Sequence, residues 1–496
     1  MIAWGFFLVY LAAVSYAAFV GIQKVSGFAS FSVGSREVSP VFVGLSLAAN
    51  LTSAATFVIN PGLIYLYGVS GIIGYAVALP LGVFVGLIIF SKAFRRVGDE
   101  VTALTVPQWI GDRFGDARLT VFFAVASLLQ IAFLVLITVG ITRVLSSVLE
   151  VPMLVAMAMT IGIPLVYIMY GGASAHTLTN AAQASLMIVV ALFLLGSGAS
   201  YVADGLGAFL DRLAAVDPML AQPTNPESLL FRDWFEVVAC NFLIGIAIIN
   251  QPHVMSKALY LEDESDVNTY LTTGIIVLIL FFSVIIVGLY ARLLLPDAGL
   301  EPDAVVPTYI VEVFSPISRS VILIGLVAAG FSTMEGLLVA LSTIFSNDIF
   351  RPLAKRHGTW NDDEVDARAV RYSRYFLAGL VPVVAFISYE QITNPNLSVA
   401  IFGQNGVYAL FSATFVPILF GIFSERITKG AVLAAAVTAL VVHFGIYYGE
   451  VTMYANNPAV PAAAALVAST LVALGWMGAR RLTSATPSAS TLTPKS

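Results

Sequence analysis

The chain has 496 residues, 59% of them hydrophobic and 11% charged, with a formal net charge of −5 and a mean hydropathy of +0.92. A soluble domain carries about 25% charged residues, so this chain has too little charge to coat a water-exposed surface of its size. An ordinary soluble enzyme is excluded, and the acidic balance, with a pI near 5.4, argues against a nucleic-acid partner.

Apolar runs of about 20 residues, the length that crosses a bilayer core as helix, lie near 2–22, 39–66, 69–91, 118–147, 151–170, 177–202, 234–252, 270–295, 317–346, 373–390, 397–421, 428–448 and 459–479. These thirteen windows predict an all-α polytopic membrane protein. The first lacks the positively charged start of a cleaved signal peptide. With the N-terminus outside, all but five of the 24 basic residues fall in cytoplasmic segments; the exceptions are Arg143, Arg212, Arg232, Arg292 and Arg319. The positive-inside rule therefore predicts a cytoplasmic C-terminus. Residues 1–480 form one transmembrane domain in this reading, and the Ser/Thr/Pro-rich 481–496 a disordered cytoplasmic tail. The loops are short and carry no Walker A sequence, which disfavours an ATP-driven pump. The charged block 351–372 reads as a solvated loop. Cys240 is the sole cysteine, and the four histidines form no HExxH pair, so neither a disulfide framework nor a Cys-rich metal centre is expected.

Polar residues inside apolar spans mark function, because hydrocarbon leaves polar groups unsatisfied. The second window holds Ala48-Ala49-Asn50-Leu51-Thr52-Ser53 and then Asn60-Pro61-Gly62. Such a stretch can unwind and offer carbonyls to Na⁺, or serve as a small-residue packing face. Gly171-Gly172 through His176, Thr179, Asn180 and Gln183 reads as a tight turn with a polar helix start. Asn250-Gln251-Pro252-His253 ends the seventh window, with His253 in a loop. In the ninth, Ser332 and Thr333 point about 100° apart and both can reach one cleft, or can bond back to their own helix. Glu335 is a carboxyl with no basic residue in its span; it is protonated, paired with a cation or open to water. No nucleophile–base–orienter set appears, so the chain is not read as an enzyme.

Taken in order, these segments resemble the sodium/solute symporter family over roughly 2–480, nearest to its sodium/pantothenate and monocarboxylate branch. The matching residues are Ala48-Ala49-Asn50-Leu51, Gly171-Gly172 with Thr179-Asn180 and Gln183, Asn250 to His253, Ala329 with Ser332-Thr333, and the continuation to Asp348. The resemblance implies a LeuT-like core of two inverted five-helix repeats, about 38–202 and 233–421, with peripheral helices. It implies Na⁺-coupled symport of a small solute by alternating access at a cell's inner (plasma) membrane. The partners are then the solute, Na⁺ and the bilayer, with no obligate protein partner. A Na⁺ site would use the carbonyls of Ala48, Leu51 and Ala329 and the hydroxyls of Ser332 and Thr333. Many relatives carry Asp at the position of Asn180; here it is neutral while Glu335 adds a carboxylate, so these two are candidates for a second cation or an exit path.

The seventh window is nearly all apolar from Phe242 to Ile249, where sugar-transporting relatives place Asn and Tyr, which disfavours a sugar. A small organic anion is the expected solute. Asn50, Thr52, Ser53, Thr56, Asn241 and Gln404 are the candidate solute contacts. No intramembrane Arg or Lys is expected to pair with a carboxylate. The rival readings are a proline-type amino-acid symporter, a proton-coupled carrier using Glu335, and a sensor domain that keeps the fold.

Overall fold

The computed structural model describes residues 2–23, 27–33, 39–101, 103–255, 257–258, 261, 265–296, 299–358, 360–394 and 398–484. Lys24, Arg36 and the tail from 485 onward lie outside them. The described residues are helical, with no strand. A helix satisfies every interior backbone group within its own segment, which is what an apolar surrounding demands.

We number the main helices α1 Ile2–Gln23, α2 Pro40–Leu51, α3 Ala55–Tyr67, α4 Val69–Ala93, α5 Ala117–Leu149, α6 Met153–Ser197, α7 Phe235–Ile248 and α8 Asp266–Leu294. They continue as α9 Pro302–Val313, α10 Pro316–Arg356, α11 Asp362–Thr393, α12 Val399–Phe423, α13 Lys429–Gly449 and α14 Ala459–Ala479. Among the described residues, 10 helices are long and apolar enough to cross a membrane, or 11 if the bent pair α2–α3 counts as one. Two features set this beside the thirteen apolar windows. The windows 151–170 and 177–202 fall in the 45-residue α6, which is two helices joined at a kink where Gly172 is non-helical (φ 50°, ψ −138°). The window 234–252 is interrupted after Ile248 and resumes only as the short helix Pro252–Met255.

Gly172 has to be glycine on two counts. Its φ is positive, and a Cβ there would lie 2.3 Å from the Phe31 carbonyl oxygen. The kink falls at the Gly-Gly pair where the sequence placed a turn.

Helix α10 is the central post. Its apolar window is 94% buried, against 28% for α1, 22% for α11 and 33% for α13, which lie outermost. It packs chiefly on α6, and also on α5 and α1. The bent pair α2–α3 threads the same centre, with α2 against α6 and α8. The outer half, α3, is clasped by backbone. A Cβ on Gly62 would sit 1.9 Å from the Pro302 carbonyl oxygen of α9, and one on Gly288 of α8 would sit 2.0 Å from the Pro61 carbonyl oxygen. Near this clasp Arg143 of α5 pairs with Asp303 of α9 at 2.9 Å.

Candidate functional site: a broken helix against a polar post

Between α2 and α3 the chain bends by 54°. Thr52 stops α2: its backbone is extended (φ −113°, ψ 120°). Its N–H and its hydroxyl both donate to the Ala48 carbonyl, at 3.0 and 2.6 Å. Ser53 starts the next turn, its Oγ accepting from the Ala55 N–H at 3.0 Å. A helix end leaves its last carbonyls without intrahelical partners, and here they face α10. Ser332 Oγ lies 3.0 Å from the Ala49 oxygen and 2.9 Å from its own Ala329 oxygen. Thr333 Oγ1 lies 3.3 Å from the Ala49 oxygen and 3.5 Å from that of Asn50. Both hydroxyls therefore meet one cleft, and the cleft is the break. Of the expected carbonyl ligands, Ala329 meets the Ser332 hydroxyl and Ala48 is engaged by Thr52, while the α2 carbonyls that the two hydroxyls meet are those of Ala49 and Asn50 rather than Leu51.

One turn further along α10, Glu335 is fully buried. It is not alone. Gln183 Nε2 donates to Oε1 at 2.6 Å and Thr179 Oγ1 to Oε2 at 2.6 Å. The Tyr167 hydroxyl donates to Oε1, and His176 Nδ1 lies 3.2 Å from Oε2. The polar start read after Gly171-Gly172 is thus the cradle of this carboxylate. His176 Nε2 lies 3.1 Å from Lys257 Nζ, which donates to Ser46 Oγ at 2.8 Å. Asn180 Nδ2 donates to Ser46 Oγ at 2.7 Å and to Asn50 Oδ1 at 3.0 Å. One chain of contacts therefore runs from Glu335 to the helix break.

Two expectations are corrected here. A basic residue does reach the buried centre: Lys257, assigned by charge to a cytoplasmic segment, is 1% exposed. His253 is no loop histidine; it is buried, with Nδ1 3.2 Å from Gln130 Oε1. In both cases an apolar stretch ends early and the chain after it turns back into the protein.

On the other side of the break lies a cavity. Of the expected solute contacts, Ser53, Thr56 and Gln404 line it; Asn50, Thr52 and Asn241 do not. Asn50 belongs to the network above, and Asn241 donates to the Glu236 and Val237 carbonyls at 2.9 and 3.2 Å. The cavity also takes Asn60, Tyr75, Gln251 and Tyr408, with Phe133, Phe282 and Phe411 among its apolar wall. Gln404 Nε2 donates to the Tyr75 hydroxyl at 3.0 Å, and buried Gln251 Oε1 has no hydrogen-bond partner among the described residues. Tyr75 and Tyr408 escaped the sequence reading because an aromatic in an apolar window looks like core. Gln251 sat in a quoted segment but was read as a helix end.

A helical membrane protein with a broken helix, hydroxyls of a second helix at the break and a polar cavity alongside is built as an ion-coupled carrier. The chain belongs to the sodium:solute symporter family, whose model matches residues 31–438. It is similar to the sodium/pantothenate symporter of Haemophilus influenzae, 26% identical over 449 residues that cover 87% of this chain and 88% of that one. The Escherichia coli sodium/pantothenate symporter is 26% identical over 439 residues, 87% of each chain. A Staphylococcus aureus sodium/proline symporter is 23% identical over 458 residues, covering 88% and 84%. Among solved structures, a substrate-bound, outward-open Na⁺-coupled sialic acid symporter shares the fold, with a TM-score of 0.77 at 17% identity, over 96% of this chain and 98% of that one. The protein is a multi-pass, Na⁺-coupled symporter of a small solute.

Proposed function

We propose that the coupling Na⁺ binds at the helix break, held by the carbonyls of Ala48, Leu51 and Ala329 and the hydroxyls of Ser332 and Thr333. The observation that carries this is the convergence of the Ser332 and Thr333 hydroxyls on the carbonyls released at the break. Neutral oxygens suit a hard monovalent ion, and unwound backbone beside a cavity is where such carriers hold their ions.

The solute we propose is a pantothenate-like organic anion. The cavity offers amides and hydroxyls from Ser53, Thr56, Asn60, Gln251 and Gln404 among aromatic walls. That lining fits a molecule with hydroxyl and amide groups on an apolar skeleton. Among the described residues no charged side chain lines the cavity, so the solute's negative charge is balanced by Na⁺. Proline is the second reading, supported by the proline symporters among the relatives. Asn50, Thr52 and Asn241 act on the solute only through their neighbours in this arrangement. The fold is read as thirteen spans with the N-terminus outside and the C-terminus cytoplasmic. The inverted repeats lie at about 38–202 and 233–421 of one transporter domain in an inner (plasma) membrane. Uptake by proteoliposomes of labelled pantothenate, a short monocarboxylate and proline, each with Na⁺ or choline outside, tests the reading. Na⁺-dependent uptake of pantothenate in excess of the others is expected; Na⁺-dependent uptake of proline alone would overturn the solute assignment.

A further inference from the structure

A buried carboxylate needs a proton, a bound cation or a fixed partner. Glu335 has its acceptor positions filled by protein. Tyr167 and Gln183 donate to one oxygen, and Thr179 and His176 meet the other. A carboxylate offers about four lone-pair sites, so these four donors leave none for a metal ion. The compensating charge arrives through His176. An ammonium only donates, so His176 Nε2, 3.1 Å from Lys257 Nζ, accepts. In the neutral ring Nδ1 then carries the hydrogen and gives it to Glu335. The bonds run one way: ammonium to imidazole to carboxylate.

We propose that Lys257 is a built-in cation holding the place of a second transported cation beside Ser46 and His176, coupled through His176 to Glu335, so that the carrier binds and moves one Na⁺ per cycle. The inference rests on the Na⁺ site proposed above. The formal charges of Lys257 and Glu335 cancel. A single Na⁺ at the break then adds one positive charge, which a monoanionic solute neutralises. A second Na⁺ would add charge that nothing in this network balances, and uncompensated charge is strongly disfavoured in a low-dielectric interior. Lys257 touches neither Na⁺ nor solute in this scheme. It is a positioning residue, tethered to the chain after α7, that sets how many ions the centre accepts.

Equilibrium binding of ²²Na⁺ to the purified full-length chain counts the ions directly, and a purely structural lysine would not change that count. Saturation at one Na⁺ per wild-type chain is expected. Lys257→Ala frees the ammonium's place beside Ser46 Oγ and His176 Nε2 and leaves Glu335 uncompensated. It should gain a second Na⁺ per chain. Lys257→Arg should keep one, and Lys257→Ala combined with Glu335→Gln should return to one. Two Na⁺ per wild-type chain overturns the inference, as does Lys257→Ala binding one Na⁺ with unchanged affinity. Wild-type protein that binds no Na⁺, or whose binding survives Ser332→Ala with Thr333→Ala, overturns the proposed Na⁺ site instead. Where the lysine variants do not fold, the wild-type count decides: one supports the inference and two refutes it.

Discussion

At the residue scale, Ser332 and Thr333 are the most exposed to test. Each hydroxyl lies within 3.5 Å of a carbonyl of the broken helix. Replacing either with Ala removes one of about five oxygens, a loss of roughly 1–3 kcal/mol by analogy with an unmet buried hydrogen bond. The Na⁺ concentration for half-maximal uptake should rise about ten- to a hundredfold, while solute affinity at saturating Na⁺ changes little. Wild-type Na⁺ dependence in both variants would refute the site. Glu335→Gln turns an acceptor of four hydrogen bonds into a group whose NH₂ confronts donors. A broken buried pair costs about 3–5 kcal/mol, so the variant should melt well below wild type. Part of the loss should return when Lys257→Met is added; strictly additive losses in this double-mutant cycle would show that the two charges are not coupled. Ser332, Thr333 and Glu335 were legible because polar residues stand out in an apolar window. Lys257 was not, since basic residues outside such windows read as solvated, and only the return of the chain after α7 buries it.

At the element scale, Gly172 decides the course of α6. A side chain there meets a positive φ and the Phe31 carbonyl at 2.3 Å. Gly172→Ala should destabilise the protein by about 1–3 kcal/mol for the backbone strain alone, seen as a lower melting temperature in detergent. Gly162→Ala, on the same helix with nothing within 4 Å of its Cβ, should be neutral or stabilising; an equal drop in both would assign the effect to helix α6 in general. The Gly-Gly pair announced a change of direction in the sequence. It could not tell a loop from a kink, because both conformations need the same residue. The bend at Thr52-Ser53 was easier to see, since hydroxyl residues next to small ones offer the backbone alternative hydrogen bonds. The window over α7 hid its interruption for a related reason: hydropathy averages over a break as short as Ile249 to Gln251.

At the scale of the whole molecule, the basic residues bias one face. A C-terminal reporter should be active in the cytoplasm and silent in the periplasm; the reverse would invert every loop assignment. The Ser332 and Thr333 hydroxyls proposed to hold Na⁺ do not line the cavity, so variants of the two should separate. Gln404→Ala, which leaves Tyr75 without its amide partner, should weaken solute binding with little change in Na⁺ affinity. A matched loss of both would mean that the two sites are not distinct.

The backbone clasp on α3 has a mechanical consequence. Helices α8 and α9 meet Pro61-Gly62 with no side chain between them, so α3 and its two neighbours can turn only as one rigid block. Helix α2 is fixed on the other side, against α6 and the first part of α8, Asp266–Ser283, which the 3-10 segment Val284–Ile286 separates from the part that meets α3. Flexure is thus concentrated at the joint at Thr52-Ser53, where the continuous helix ladder is missing, and at that segment of α8. In the proposed Na⁺ site the carbonyls bared at that joint are also the ones that face the ion, so the cargo would double as the pin of the hinge. Amide hydrogen exchange over 49–56 should slow when Na⁺ replaces choline, while exchange within α13, far from the joint, should not.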